Sequence, residues 1–265
     1  MVTLAHRALG RSWALAARSL AMSPVVRDWA EARYAGRLVR HAGNLPVLSS
    51  DDVELVADLQ RDYVAARPCL PPDDVLRSAE RLVDGLRRTA TLESCLRVSP
   101  ADHAADPTVF AWGLHPGMLD LAECYIGLQV RYLGVEVKRE LRHAVGQLDS
   151  VSRRWHTDHE DRRMLKVIVY LSDVDVHSGP FEYLDRPCAE RRQLTGPRLT
   201  AVYADTSKLL HRVKAPLMAD RYSMTFVYSS TAPFYAYPDF MLPRKALTCL
   251  RDQLSDRQQR ALTTV

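Results

Sequence analysis

One short stretch limits what this chain can become. Trp155-His156-Thr157-Asp158 sets a histidine and a carboxylate two residues apart, and Leu165-Lys166-Val167-Ile168-Val169-Tyr170-Leu171 follows as a run of strand formers. Side chains on a strand alternate, so residues i and i+2 share a face. An extended H-x-D segment therefore presents an imidazole and a carboxylate to the same space. A second imidazole would complete a two-histidine, one-carboxylate face, which holds a divalent metal and leaves the opposite positions open. His211 is the best-placed third donor. Imidazole and carboxylate suit iron or manganese better than a thiolate set would.

The rest of the sequence places this stretch in context. The chain has 265 residues, enough for one large domain or one domain with a helical extension. Its hydrophobic fraction of 47% is ordinary for a folded protein, and a net charge of +4 does not call for nucleic acid. Only five of its 36 basic residues are lysines: Lys138, Lys166, Lys208, Lys214 and Lys245. That skew is the style of a GC-rich bacterial genome. The five cysteines, Cys69, Cys95, Cys124, Cys188 and Cys249, are scattered and form no C-x-x-C. This speaks against a disulfide framework or a zinc ribbon and for a reducing, cytoplasmic compartment. No apolar run approaches the ~20 residues of a membrane span.

Along the chain, helical patterns come first. Leu4, Leu9, Trp13, Leu15, Leu20 and Met22 mix with Arg7, Arg11 and Arg18, and no acid precedes Asp28. This is an amphipathic, Arg-rich helix. Its readings are a transit-like peptide, a membrane-surface helix, or a helix packed on the main domain, and the last is expected. Helical spacing continues from Val25 to His41, and Gly43-Asn44-Leu45-Pro46 breaks it. The expected division is an extension over 1–45 and a main domain over 46–265, with its metal-binding core at 130–230. Helices are expected over Val53–Asp62 and from Pro71 to Thr89, then a polar loop over Ser99–Pro107 and a helix from Pro116 to Leu128. From Val130 the period becomes two. Strands are expected at Leu165–Leu171, Phe181–Leu184, Leu199–Val202, Lys208–Val213 and Tyr222–Tyr228, and a closing helix at Leu247–Leu262. Helices followed by strands predict an α+β fold, here a double-stranded β-helix (a jelly-roll or cupin-like barrel) with N-terminal and flanking helices.

Three ordered elements add to the H-x-D pair: Leu165 to Val174, the turn Gly179-Pro180-Phe181-Glu182, and His211 followed ten positions later by Arg221. Together with Trp155-His156-Thr157-Asp158 they resemble the phytanoyl-CoA dioxygenase-like family of Fe(II)/2-oxoglutarate-dependent dioxygenases. The match covers roughly the C-terminal half. One departure is the stretch Asp185-Arg186-Pro187-Cys188, where the family often has a G-S-H-like sequence. That change lies at the lip of the site and bears on the substrate.

The resemblance implies His156, Asp158 and His211 as the ligands of Fe(II). It implies Arg221 as the anchor of the far carboxylate of 2-oxoglutarate, with Ser223 two residues on and facing the same way. A guanidinium meets a carboxylate with two charge-assisted hydrogen bonds. It also implies O2 as co-substrate and oxidation of a C–H bond, by default hydroxylation, with release of succinate and CO2. Related halogenases have a small residue in place of Asp158, so its presence points to oxygen chemistry. A second side chain supporting 2-oxoglutarate is left open among Lys138, Arg142, Gln147 and Tyr170. Arg212 is the fallback for Arg221, but beside His211 it should point away from the metal. His159 and His177 are expected in solvent, and Trp155 in the core. Pro233-Phe234-Tyr235-Ala236-Tyr237-Pro238 either lines the substrate mouth or seals the barrel end.

The substrate is expected to be a small molecule, by association of bacterial secondary-metabolite biosynthesis. The alternatives are an acyl-CoA or lipid hydroxylase of the same family, a cupin-type metal hydrolase or isomerase, and a non-catalytic metal-binding barrel. The hydrolase or isomerase leaves Arg221 without a role, and the intact His156, Asp158, His211 and Arg221 count against the non-catalytic barrel.

Overall fold

The computed structural model describes residues 24–142, 151–185, 190–234 and 240–262. The proposed amphipathic stretch before Pro24 lies outside them, as do Arg186 to Cys188, the candidate Gln147, and most of the aromatic segment after Phe234.

The N-terminal half is helical: α1 (Pro24–His41), α2 (Ser50–Asp62), α3 (Asp73–Arg88), α4 (Pro100–Ala105), α5 (Thr108–Trp112) and α6 (Pro116–Ile126). Two short strands, β1 (Val64–Pro68) and β2 (Cys95–Arg97), interrupt them. The local chemistry explains the boundaries. Ser49 caps α2 by accepting from the Asp52 amide at 3.2 Å. The helix stops at Tyr63, whose φ of 62° is left-handed. In α3, Asp73 and Asp74 sit at the start and Arg87 and Arg88 at the end, each complementing the helix dipole. Its inward stripe is Val75, Ala79, Leu82, Val83 and Leu86.

The C-terminal half supplies β3 (Val130–Glu140), β4 (Met164–Tyr170), β5 (Phe181–Asp185), β6 (Glu190–Leu194), β7 (Thr200–Asp205), β8 (His211–Val213) and β9 (Arg221–Ser230), then α7 (Arg244–Arg251) and α8 (Asp256–Ala261). The strands form two antiparallel sheets. The larger runs β1-β7-β4-β9-β3-β2 and the smaller β6-β5-β8. His156 pairs with His211 by an isolated antiparallel bridge, which adds the H-x-D segment to the small sheet beyond β8. The mixed architecture agrees with the α+β expectation.

The two faces of the large sheet differ sharply. Val135, Val137, Leu165, Val167, Val169, Met224 and Phe226 pack against the helices in the main apolar core. A fully buried side chain of this kind contributes roughly 1.5–3 kcal/mol. The alternate residues face the small sheet. There Ile168, Tyr170, Val202 and Ala204 pack with Phe181 and Leu209. Toward β3 and β9 the same face turns polar: Glu136, Lys138 and Glu140 lie opposite Thr225, Ser223 and Arg221. All six are buried. Burying so many charges is costly unless they are paired, which marks this face as the place to look for a site. Further along, the β3–β9 register shifts between Tyr132 and Gly134. Gly134 there has φ +106°, and the backbone of Phe240 occupies the space a Cβ would need.

Several expectations need correction. Ser99–Pro107 is not a loop throughout: Ser99 accepts from the Asp102 amide at 3.1 Å and Pro100 sits in the first turn, so α4 forms. The strand expected from Leu199 begins at Thr200, because Leu199 is a turn residue with φ 70°. The strand expected from Lys208 begins at His211. The Asp205 carboxylate accepts from Ser207, and its carbonyl from Lys208, which closes a turn there. The closing helix is two helices, because Ser255 and Gln258 form a capping box that starts α8. β1, β2 and β6 carry no clear alternation and form by pairing with β7, β3 and β5. Among the described residues no helix is long and apolar enough to cross a membrane.

Candidate metal centre

His156, Asp158 and His211 come together, each offering one donor atom, all within 4.8 Å of one another. The backbone builds this. His156 and His211 exchange N–H···O hydrogen bonds at 3.0 and 2.9 Å, and the Asp158 amide donates to the Thr206 carbonyl at 2.9 Å. The H-x-D segment is therefore not a continuous strand. One bridge and one further hydrogen bond suffice to put both side chains on the same side.

Both rings are oriented the same way. His156 Nδ1 lies 2.8 Å from the Arg154 carbonyl, and His211 Nδ1 lies 3.0 Å from the Leu209 carbonyl. A carbonyl accepts only, so each Nδ1 must carry the proton, and each Nε2 keeps its lone pair. The ring centroids are 4.3 Å apart. Phe181 stacks on His211 at 5.4 Å and 20°. Backbone acceptors that fix the tautomer are the usual support of metal-binding histidines.

The protonation states also match. Burial pushes the Asp158 carboxyl up, but the Lys166 ammonium and His211 outweigh it and hold it at about 2. Burial and the Lys166 charge push the His211 imidazole down to about 4. Near neutral pH the site thus presents an anionic carboxylate and a neutral imidazole, the forms that bind a metal.

Arg221 lies deeper on the same face and is 1% exposed. One of its terminal nitrogens donates to the Gly179 carbonyl at 2.6 Å and the other to Ser223 Oγ at 3.5 Å. Its Nε–H is buried and has no hydrogen-bond partner among the described residues. The Tyr170 ring lies under the guanidinium at 5.7 Å. A cavity of about 70 Å³ joins the two regions, lined by Glu136, Lys138, His156, Lys166, His211 and Arg221 among others. An orphaned guanidinium N–H at one end and two free imidazole nitrogens with a carboxylate at the other fit a metal plus a dicarboxylate spanning the gap.

The open candidates separate. Lys138 lines the cavity and lies 3.1 Å from Glu136 and 3.3 Å from Glu140. Tyr170 is committed: its hydroxyl donates to the Leu194 carbonyl and accepts from the Phe181 amide. Arg142 is exposed. Arg212 does point away from the metal site, onto the buried Glu182 at 2.6 Å. It also covers the ring of Trp155, which is half-buried at the surface and not in the core, contrary to expectation. His159 and His177 are exposed, as expected. Lys166 stands in the sequence among strand formers, with no motif to mark it. Its ammonium stands 2.6 Å from Asp158 Oδ2. A lone lysine at an inward position of an apolar strand was the available signal.

No family model and no curated protein matches the sequence. Solved structures do match. The non-heme α-ketoglutarate-dependent epimerase SnoN from nogalamycin biosynthesis shares 21% identity over 68% of this chain and 83% of its own, with a TM-score of 0.53. AviO1 from Streptomyces viridochromogenes Tue57 shares 17% over 71% and 98%, with a TM-score of 0.54. EctD from S. alaskensis, solved with 2-oxoglutarate and 5-hydroxyectoine, shares 16% over 74% and 84%, with a TM-score of 0.54. At these identities the likeness establishes the fold: this chain has the fold on which SnoN, AviO1 and EctD are built.

Proposed function

We propose that this protein is an Fe(II)- and 2-oxoglutarate-dependent oxygenase of the phytanoyl-CoA dioxygenase-like kind, acting on a C–H bond of a small organic molecule. The observation that carries the reading is the pairing of two sites in one cavity. One is a two-histidine, one-carboxylate face with both Nε2 atoms free; the other is a buried arginine with an unpartnered Nε–H. Neither feature alone selects the class, and a hydrolytic metal site has no use for the second.

In this reading His156, Asp158 and His211 hold the iron. Arg221, helped by Ser223, takes the distal carboxylate of 2-oxoglutarate. Lys138, on the neighbouring strand at the register of Ser223, is the favoured second support. The two sheets form the walls of a double-stranded β-helix over 46–265, with residues 1–45 as a helical extension. The bound iron and 2-oxoglutarate supply the oxidation of the substrate with O2, giving succinate and CO2. The chain's own work is to align the co-substrate, exclude water and place the C–H bond.

Hydroxylation is the default outcome. Epimerisation and ring closure start from the same hydrogen abstraction. The printed descriptions of similar structures include an epimerase and a carbocyclase, both from nogalamycin biosynthesis. These names support a tailoring role in bacterial secondary-metabolite biosynthesis.

Calorimetry with Mn(II) as an air-stable stand-in tests this. 2-Oxoglutarate should bind only to metal-loaded protein, and Arg221→Ala should weaken that binding greatly while leaving Mn(II) binding intact. Metal-loaded wild type that ignores 2-oxoglutarate would end the proposal.

A further inference from the structure

Lys166 occupies an unusual place for a lysine. It lies on β4 between Leu165 and Val167, which pack in the apolar core, and its own side chain faces the opposite way, into the metal cavity. Its cross-strand neighbours are Ala204 on β7 and Val227 on β9, neither of which offers a side-chain acceptor. The ammonium goes instead to Asp158 Oδ2 at 2.6 Å. The other oxygen, Oδ1, is the one nearest the histidine, 3.9 Å from His156 Nε2. The two oxygens of one carboxylate are thus divided, Oδ1 toward His156 and Oδ2 to the lysine.

We propose that Lys166 is a positioning residue that holds Asp158 to a metal through Oδ1 alone. The inference rests on the metal reading given above. Its chemical sense lies in the count of positions. A six-coordinate iron with three protein donors has three left. A chelating 2-oxoglutarate uses two, and one remains for O2. A carboxylate binding through both oxygens would remove that last position. Capping Oδ2 with an ammonium keeps Asp158 to one bond. Outer partners of this kind typically change metal affinity by about 10–100-fold.

The opposite outcome is physically reasonable, which makes the test sharp. An ammonium beside a dication repels it, so if Lys166 contributed only its charge, removing it would tighten metal binding. Fe(II) affinity is measured anaerobically by competition with a chromophoric chelator, and the visible 2-oxoglutarate–iron band is recorded at saturation. Lys166→Met should shift the band and raise the 2-oxoglutarate needed to reach it, because a freed Oδ2 lets Asp158 take a second position on the metal; a lysine that contributed only its charge would, once removed, tighten Fe(II) binding and leave the band where it was. Lys166→Arg should restore both, since it keeps a charged donor. Should Lys166→Met fail to fold, Lys166→Gln carries the test, because it removes the charge and keeps a donor for Oδ2, so the band should stay at its wild-type position. An unmoved band in Lys166→Met, whatever its Fe(II) affinity, or a moved band in Lys166→Gln, overturns the proposal. A wild type that shows no band at all overturns the functional reading itself, so the two failures are distinguishable.

Discussion

His156 and His211 are joined through their backbones in both directions, at 3.0 and 2.9 Å, while their rings stand 4.3 Å apart with both Nε2 atoms free. The joint uses backbone atoms only. The scaffold of the metal site is therefore independent of the side chains it presents.

His156→Ala and His211→Ala should each keep a cooperative melt in the metal-free state yet lose Fe(II) by more than the ~100-fold that an outer partner costs. Thermal melting and chelator competition check the two halves separately. Loss of folding in both variants would mean the rings, not the backbone bridge, hold the segments together.

Arg221→Ala should raise the dissociation constant for 2-oxoglutarate by about 10²–10⁴-fold. Two hydrogen bonds to a charged group contribute about 1.5–3 kcal/mol each, and ~1.4 kcal/mol is a factor of ten. Arg221→Lys should recover only part, because an ammonium lacks the planar fork. Calorimetry on Mn(II)-loaded protein measures both.

Gly179 supports the same arginine. Its φ is +77°, a Cβ would meet Pro216 at 2.7 Å and the Lys214 carbonyl at 2.9 Å, and its own carbonyl accepts from Arg221. Gly179→Ala should destabilise the fold by at least about 1–2 kcal/mol, the left-handed penalty alone. It should also weaken 2-oxoglutarate binding by displacing that carbonyl. Denaturant unfolding and calorimetry test the pair of effects.

His103 gives a pH dependence remote from the metal. It is 5% exposed and neither ring nitrogen has a hydrogen-bond partner among the described residues. Burial pushes its imidazole down to about 4. The unfolded chain holds the proton up to about pH 6.5, the folded chain only below about 4. Acid therefore favours unfolding across that window, by up to roughly 3 kcal/mol at its lower end. His103→Leu should flatten the pH dependence of stability between pH 6.5 and 4. An unaltered slope would refute the assignment.

Much of this was legible in the sequence, for identifiable reasons. The clustered donors His156, Asp158 and His211, proposed here as metal ligands, were readable because an H-x-D pair, a distal histidine and an arginine keep fixed intervals, and intervals survive where overall similarity does not. β3, β4 and β9 were readable because their faces alternate between helix-packed and cavity-facing residues. The edge strand β6, Glu-Arg-Arg-Gln-Leu, was not, since it forms by pairing with β5 and buries little of its own. The start of β8 was misplaced because a turn built on Asp205 takes Lys208 and Leu209 out of the ladder. The partner of Lys166 was not legible, because nothing in its own segment names Asp158, eight residues earlier.

The most direct measurement is an anaerobic titration of metal-free protein with Fe(II) and then 2-oxoglutarate, followed by visible absorption. A charge-transfer band should grow with 2-oxoglutarate, be absent in His156→Ala, and require far more co-substrate in Arg221→Ala. No band in fully iron-loaded wild type would contradict the account, because it would leave the buried arginine and the three-donor face without a shared ligand.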